Sequence, residues 1–387
     1  SDELFMKDLV WLDNLKLRVG YGKTGNSAVS PYQTKGQLAL RHYVFNNGSS
    51  EYIGYAPSVM ANDQLTWETT DQWNVGVDFG FLKNRINGTV EFYLQNTKDL
   101  LLKRQLPVVS GFSSVMSNVG STRNKGIEIT LNTRNIMNRN FTWSTDLTFS
   151  ANKEEIVELY NGKTDDVGNL WFIGQPIDVY YNYKKIGIWQ NTENDLAEMA
   201  KFNEKGANFK PGSIRLEDVD GDYKITEEDK QILGSVRPKF VASMVNNFEF
   251  KGFDLSVFLY ASVGGLLRNN IEFMEKPGRG NTVKVDYWTP TNPTNAFPRP
   301  SVDVEKLDYI STLGYDKADF LRIRNITLGY TLPEMWSKKV LMDKIRIYLS
   351  ANNPAIFTNF TGIDPEGANG RTAPSYSTWM FGINLSM

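Results

Sequence analysis

Long stretches of alternating apolar and polar residues limit most strongly the folds open to this chain. In residues 141–152, Phe141, Trp143 and Leu147 share one side, and Asp146 lies on the other. Successive side chains of a β-strand point to opposite faces, so this period of two predicts strands with one apolar face. Ten such strands are predicted, at residues 15–21, 73–81, 85–96, 126–133, 141–152, 240–250, 253–262, 320–332, 344–353 and 379–387.

The lengths of these stretches favour a membrane barrel over a soluble sandwich. Residues 141–152 form a 12-residue stretch and residues 320–332 a 13-residue stretch. Strands of soluble proteins usually have about 5–6 residues, whereas a tilted strand needs about 9–11 to cross a bilayer. The polar face does not separate the two folds, because a sandwich also carries one.

The connections between the strands alternate strictly between short and long. The short ones are residues 82–84, 135–139, 251–252 and 333–341, and the long ones are 23–70, 97–123, 153–237, 264–317 and 354–375. Outer-membrane barrels join their strands by short periplasmic turns and longer extracellular loops. We therefore predict an all-β, transmembrane antiparallel β-barrel, and this parity assigns the strand-like segment 178–189 to a hairpin within the large loop 153–237.

One strand breaks its own alternation. Leu321 and Ile323 share a face, but Ile326 and Leu328 have the opposite parity. A β-bulge near Arg324 and the following Asn would restore a continuous lipid-facing side. Without a bulge, two arginines would face hydrocarbon, at about 2–4 kcal/mol each at mid-bilayer.

Composition excludes several classes of function. The chain carries 42 basic and 44 acidic residues, a net charge of −2, which argues against nucleic-acid binding. It has no cysteine and a single histidine, so it offers no thiol nucleophile, cysteine-ligated metal or Ser-His-Asp triad. None of the 44 acids forms a recognisable catalytic pair, and we expect no enzyme. No charge-free apolar run reaches the roughly 18 residues of a membrane helix.

An acidic segment within the loop 153–237 has the spacing of a calcium loop. Over residues 218–229 the side-chain oxygens fall at positions 1, 3, 5, 9 and 12, and position 7 offers a backbone carbonyl. The candidate ligands are Asp218, Asp220, Asp222, Lys224 through its carbonyl, Thr226 and Asp229. The segment departs from an EF-hand at Tyr223, where glycine is usual, and ends in aspartate rather than glutamate. We expect structural Ca²⁺ that holds the loop rigid; the alternative is a solvated acidic turn.

The long loops are rich in aromatic residues beside amides and charges. Candidate substrate-binding residues are Tyr180, Tyr181, Trp189, Trp288 and Phe297. Aromatic faces with such neighbours suit sugar rings or peptide segments. The competing interpretation is that these rings pack the loops against one another.

Ten strands leave two sheet edges, and an open edge cannot be satisfied in hydrocarbon. Either the chain closes alone as a ten-stranded barrel, or its edges pair with strands outside these 387 residues. The connections make up more than half of the chain, which is too much for so small a barrel, so we favour further strands. The chain begins Ser-Asp-Glu without an initiating methionine or signal peptide, which is typical of a mature segment or fragment. The alternative to a membrane barrel is a secreted, soluble glycan-binding or adhesin β protein.

Several motifs carry a resemblance to a known family. They include residues 11–22 (WLDNLKLRVGYG), 124–129 (NKGIEI) and 174–176 (GQP), and the block 320–333 (FLRIRNITLGYTLP) is the most specific. In these motifs, and in their order over essentially the whole chain, the sequence resembles the C-terminal part of SusC-like, RagA-like TonB-dependent outer-membrane transporters of Bacteroidota.

The resemblance implies a 22-stranded barrel of which this chain supplies about ten strands. It also implies an N-terminal plug and a segment contacted by TonB, both absent from this chain, and a SusD-like surface lipoprotein that caps the barrel as a lid. Cargo in the family is an oligosaccharide or a peptide, imported by energy from the TonB complex. The implied partners of this chain are that lipoprotein, the N-terminal part and membrane lipid.

Overall fold

The computed structural model describes residues 9–27, 34–48, 50–112, 114–269, 285–301, 307–367 and 375–387, and the single residues 3, 6 and 32. The chain divides into two compact units, one of residues 1–135 with 145–177 and one of residues 136–144 with 178–387. In the described part of the chain, none of the helices combines the length and apolar character needed to span a bilayer.

The first unit is built almost entirely of strands. In chain order they are β1 (Leu12–Asn26), β2 (Gln37–Phe45), β3 (Ser50–Val59), β4 (Glu68–Phe81), β5 (Ile86–Lys98), β6 (Leu101–Gln105), β7 (Ser114–Asn118), β8 (Ser121–Met137) and β9 (Phe141–Glu158). The long strands are neighbours in the order β1-β4-β5-β8-β9. The pairs β2–β3 and β6–β7 form separate hairpins in the long connections.

The second unit combines five long strands with a layer of short elements. The short elements that precede the long strands are β10 (Val179–Tyr183), β11 (Lys185–Ile188), helix α1 (Glu193–Glu204), β12 (Ile214–Leu216) and β13 (Lys230–Ser235). They are followed by β14 (Phe240–Phe250), β15 (Phe253–Val263), β16 (Leu266–Arg268), β17 (Tyr315–Lys317), β18 (Phe320–Thr331), helix α2 (Glu334–Ser337), β19 (Lys344–Thr358) and β20 (Thr378–Ser386). The long strands are neighbours in the order β14-β15-β18-β19-β20.

All ten predicted strands are present, and within each unit their antiparallel registers keep polar residues on one face. On the polar face of the first unit, Arg18 Nη2 lies 2.9 Å from Asp78 Oδ1 and 2.5 Å from Glu91 Oε1. On that of the second, Arg346 Nε donates to Asp254 Oδ1 at 2.9 Å. Charges at alternate positions of neighbouring strands therefore pair across the sheet, while the opposite face remains apolar.

The predicted bulge is confirmed at Arg324. Both neighbours of β18 skip this residue: Leu259 pairs with Ile323 and Phe258 with Asn325, and the register with β19 shifts at the same point. The extra residue brings Leu321 and Leu328 to the same side, where both are exposed.

The predicted placement of residues 178–189 in the large loop, outside the long strands, is confirmed. The segment lies in the connection between β9 and β14, and it is divided at Lys184 into β10 and β11. These strands do not pair with each other: β10 pairs with β13 and β11 with β12. Their partners are supplied by residues 214–235, so the segment is held by tertiary pairing rather than by a local turn.

Candidate functional site

The short elements of the second unit form a packed loop body, which comprises residues 178–235, 285–301 and 307–316. Ile188, Ile214 and Trp288 belong to one buried cluster, and Trp189 and Phe202 belong to another. Helix α1 starts at a Thr192 N-cap whose side chain accepts from the backbone N–H of Asp195 at 3.3 Å. The helix thereby presents Met199 and Phe202 to the second cluster. The loop body thus has a hydrophobic core of its own.

Two of the predicted substrate-binding residues are part of this core. Trp189 is 1% exposed, and its ring lies 5.9 Å from that of Phe202 and 6.0 Å from that of Phe209. Trp288 is 5% exposed and donates from Nε1 to Gln190 Oε1 at 2.8 Å. In this structure both indoles pack the loops together and present almost no surface to a ligand.

A cleft of about 600 Å³ opens on another side of the loop body. It is bordered by β11, β13, β16, β17 and the segment around Phe297. Its apolar walls come from Ile232, Leu233, Leu266, Leu313 and Phe297, and its polar groups come from Lys184, Lys185, Gln231, Asp316 and Thr361. Apolar walls with a few convergent polar groups are the usual composition of a ligand site. We refer to this feature as the loop cleft.

Lys185 brings a partly buried ammonium group to the loop cleft. Its Nζ donates to the backbone carbonyls of Asn295 and Ala296 at 2.7 and 2.8 Å. Burial lowers the pKa of the Lys185 ammonium, and the negative charge of Asp316 opposes this shift. The role of Lys185 could not be predicted from the sequence, because its hydrogen-bond partners lie more than 100 residues away along the chain.

The remaining predicted aromatic residues lie at or beside the loop cleft. Phe297 is one of its walls. The ring of Tyr180 packs edge-on against Tyr315, another wall residue, with 5.3 Å between ring centres. Tyr181 lies on β10 opposite Ile232 of the cleft. Of the five predicted substrate-binding residues, Phe297 therefore lines the cleft, and Tyr180 and Tyr181 adjoin residues that line it.

The acidic segment 218–229 brings three of its predicted ligands together. Carboxylate oxygens of Asp218, Asp220 and Asp222 all lie within 4.8 Å of one another. Asp218 accepts from the backbone N–H groups of Gly221 and Tyr223, at 2.8 and 2.9 Å. The backbone thus wraps around the carboxylates, an arrangement that suits a hard cation with oxygen ligands.

The remaining predicted ligands are engaged with the backbone. Asp229 is 1% exposed and accepts from the N–H groups of Val219 and Thr226, at 2.8 and 2.7 Å. The side chain of Thr226 caps the turn that follows, by accepting from the N–H of Glu228 at 3.2 Å. Lys224 donates its N–H to Asp222 Oδ1 at 2.7 Å. Asp229 closes the loop in this structure through hydrogen bonds to its two ends.

Two apolar side chains between its carboxylates pack the acidic segment against the buried core of the loop body. Tyr223 packs edge-on against Phe202, with 5.4 Å between ring centres. Ile225 packs against both buried clusters. Any ligand that fixes the carboxylates would therefore also stabilise the packing of the loop body.

A buried ion network lies where the loop after β19 meets the polar face of β18. Arg322, which is 2% exposed, donates to Asp364 Oδ1 at 2.7 Å and to Ser375 Oγ at 2.8 Å. Arg324 pairs with Glu366. Burial favours the neutral form of Asp364, but hydrogen bonds from Ser375, the N–H of Glu366 and Arg322 outweigh it and hold its pKa below the usual value. The alternation and the predicted bulge indicated that the two arginines avoid lipid. They did not indicate that Asp364, Ser375 and Glu366 are their partners.

Comparison with known proteins gives a consistent family assignment. The family model described as TonB dependent receptor-like, beta-barrel, matches residues 8–354. TonB-dependent receptor P3 of Formosa agariphila is 32% identical over 100% of this chain and 40% of its own length. TonB-dependent receptor SusC of Bacteroides thetaiotaomicron is 31% identical over 100% of this chain and 39% of its own length.

A solved structure extends the similarity to three dimensions. The structure of the RagAB peptide transporter matches with a TM-score of 0.77 and 25% identity, over 99% of this chain and 42% of the matched chain. The chain thus spans about two fifths of the length of the curated relatives it matches.

Proposed function

This chain belongs to the TonB-dependent receptor-like β-barrel family, and from that membership we propose that it forms the C-terminal barrel part of an importer. The importer carries oligosaccharides or peptides across the outer membrane, without covalent chemistry on the cargo. The family is one of outer-membrane β-barrels that transport rather than catalyse, so the soluble glycan-binding alternative is set aside.

The loop cleft is the part of this chain to which we assign cargo contact. The proposal is supported by Phe297 and Tyr315, whose rings lie in its wall, and by Lys185 and Asp316, which add opposite charges beside them. Aromatic faces stack on sugar rings or on peptide side chains, and the charged groups orient either cargo.

A SusD-like surface lipoprotein acts in this proposal as a lid over the loops. An N-terminal part supplies the plug and the remaining strands, and TonB acts through a segment of that part. The support is the similarity over the whole chain to SusC and to the chain of the RagAB transporter. Intact mass spectrometry of the detergent-extracted complex tests these partners: a lipoprotein and the N-terminal part are expected, and a solitary water-soluble 44 kDa species would refute the proposal.

Replacing Phe297 with alanine should weaken cargo binding about ten-fold. Removing one aromatic wall loses on the order of 1.5 kcal/mol of contact, and 1.4 kcal/mol corresponds to a factor of ten. The measurement is uptake of labelled oligosaccharide and peptide pools by cells that carry the full-length transporter. Tyr287→Ala is the matched control, because Tyr287 is an exposed aromatic residue of the same loop body outside the cleft. Equal uptake by both variants would show that the loop cleft does not contact the cargo.

We also propose that the acidic segment holds structural Ca²⁺ through the carboxylates of Asp218, Asp220 and Asp222. The carbonyl of Lys224 and water at Thr226 complete the oxygen shell, and Asp229 joins it by exchanging a backbone partner for the ion. The proposal is supported by the convergence of three carboxylates and by the packing of Tyr223 on the loop body.

Chelation should then make the loop body more sensitive to protease, and Ca²⁺ should restore its resistance.

Asp220→Asn should weaken the binding of Ca²⁺ on the order of ten-fold, because the affinity of such loops follows their ligand charge. Terbium luminescence excited through the neighbouring Tyr223 measures that binding. Glu228→Gln is the control, since it removes the same charge from the same segment outside the ligand set. Protease patterns that do not change with Ca²⁺ would eliminate the structural role.

A further inference from the structure

The turn between β18 and β19 carries several exposed apolar residues close together. It runs from Pro333 to Asp343 and contains helix α2. Four of its large apolar residues are exposed to solvent: Met335, Trp336 (58%), Val340 and Leu341 (88%). Such a patch costs free energy in water and marks a surface that meets a partner or a membrane.

The turn holds these side chains in a fixed arrangement. Ser337 is fully buried, and its hydroxyl donates to the carbonyls of Glu334 and Asp343, both at 3.2 Å. The N–H of Met342 returns to the carbonyl of Ser337 at 3.1 Å. The apolar residues are therefore presented by a hydrogen-bonded turn whose two ends continue into long strands.

Two features of Leu341 are unfavourable for the stability of the folded chain in water. Its φ of 60° places it in the left-handed region at the end of the turn, where glycine is usual and a branched side chain is strained. The same residue exposes 88% of its surface. The exposure is explained if the side chain leaves water when the protein is in place.

Two lysines add positive charge to this apolar turn. Lys338 and Lys339 are exposed, and Lys338 lies 3.4 Å from Glu334, which it partly neutralises. A tryptophan and lysines beside aliphatic residues are the composition of segments that lie at a membrane interface. Basic side chains are further attracted there by anionic lipid headgroups.

The apolar face of the barrel strands leads directly to the turn. Phe253, Tyr330 and Ile347 are aligned across β15, β18 and β19, and Ile383 continues the row on β20. The rings of Phe253 and Tyr330 are 4.5 Å apart. This row is part of the lipid-facing surface of an outer-membrane barrel, so the turn lies next to an established lipid boundary.

We propose that the turn 333–343 is an interfacial anchor that inserts into the periplasmic leaflet of the outer membrane. Met335, Trp336, Val340 and Leu341 enter the boundary between headgroups and acyl chains, and Lys338 and Lys339 bind anionic phospholipid headgroups. Because α2 is tied to the ends of β18 and β19, the anchor fixes the depth of these strands in the bilayer.

Spin labels on the full-length transporter test the anchor in vesicles of phosphatidylethanolamine and phosphatidylglycerol. This chain has no cysteine, so Met335→Cys and Leu341→Cys each give one label position within it. Asn140→Cys is the control, on the exposed polar turn between β8 and β9. We expect labels at 335 and 341 to collide with membrane-dissolved oxygen several-fold more often than with a water-soluble nickel chelate, and the label at 140 to show the reverse.

Two results would overturn the proposal. Labels at 335 and 341 that respond to the nickel chelate as the label at 140 does would place the turn in water. Labels protected from both reagents would show that protein, rather than lipid, covers the turn. Replacing both lysines by glutamine should make the label at 341 shallower in the anionic vesicles; an unchanged depth would refute the contribution of lipid charge.

Discussion

Arg322→Ala should release the loop after β19 from the polar face of β18. The variant leaves Asp364 buried without its guanidinium partner, and the loss of one member of a buried ion pair costs about 3–5 kcal/mol. Backbone amides of residues 359–367 should therefore exchange hydrogen roughly 10² to 4 × 10³ times faster, since each 1.4 kcal/mol is a factor of about ten. Hydrogen-exchange mass spectrometry of the full-length transporter measures this rate.

Arg324→Ala provides the matched control on the same strand. Arg324 pairs with Glu366 in a more exposed setting, and pairs of this kind contribute about 0–1 kcal/mol. A similar acceleration in both variants would contradict the special role of the buried pair. Combining Arg322→Met with Asp364→Leu should recover much of the protection, because a buried pair replaced by apolar residues leaves no unpaired charge.

The same network has a defined pH dependence. The pKa of Asp364 is lower in the folded state than in the unfolded chain, so its contribution to stability is present above the unfolded value. It is lost as the pH falls through the folded pKa. Because an unperturbed aspartate titrates near pH 3.9, the loop should remain closed between pH 7 and 5 and open in stronger acid.

Trp189→Ala should destabilise the whole loop body by about 3–5 kcal/mol. The indole is buried among Phe202 and Phe209, and the guanidinium of Arg215 lies 4.4 Å from the ring centre, so the variant leaves a large cavity. Arg215 also pairs with Glu198 at 2.5 Å, which links the cavity to helix α1. Protease resistance and hydrogen exchange of residues 193–209 measure the loss.

Leu196→Ala is the control for this substitution, because Leu196 lies on the exposed side of α1 and its truncation should change stability little. The two assigned roles of the aromatic residues are then separable. Trp189→Ala should open the loop body, whereas Phe297→Ala, which truncates a half-buried ring at the edge of the other buried cluster, should reduce uptake and raise hydrogen exchange much less. If Trp189→Ala keeps the slow hydrogen exchange of residues 193–209 but loses cargo affinity, Trp189 contacts cargo and its assignment to the core is wrong.

The barrel strands were predictable because their signal is local. Alternation over residues 240–250 defines β14 to the residue, and the change of parity in 320–332 predicts the bulge at Arg324. Strand ends were less well predicted: residues 126–133 extend to β8 at Ser121–Met137. The added ends are mostly polar on both faces, so their side chains show no alternation. They are strands because their backbone pairs with the neighbouring strand, which the sequence pattern does not reveal.

The loops were predictable in length and composition but not in packing. The sequence by itself determined the membrane-type strands, the parity of the connections and the grouping of Asp218, Asp220 and Asp222, since each depends on residues close along the chain. Only the tertiary structure decided that Trp189 is core while Phe297 faces a cleft, and that Arg322 binds an aspartate 42 residues away. Burial in the loop body arises where residues 189–209 fold back on themselves and where residues 188–216 meet residues 288 and 310–313. No alternation along the chain records which face of an aromatic ring will be covered by such packing.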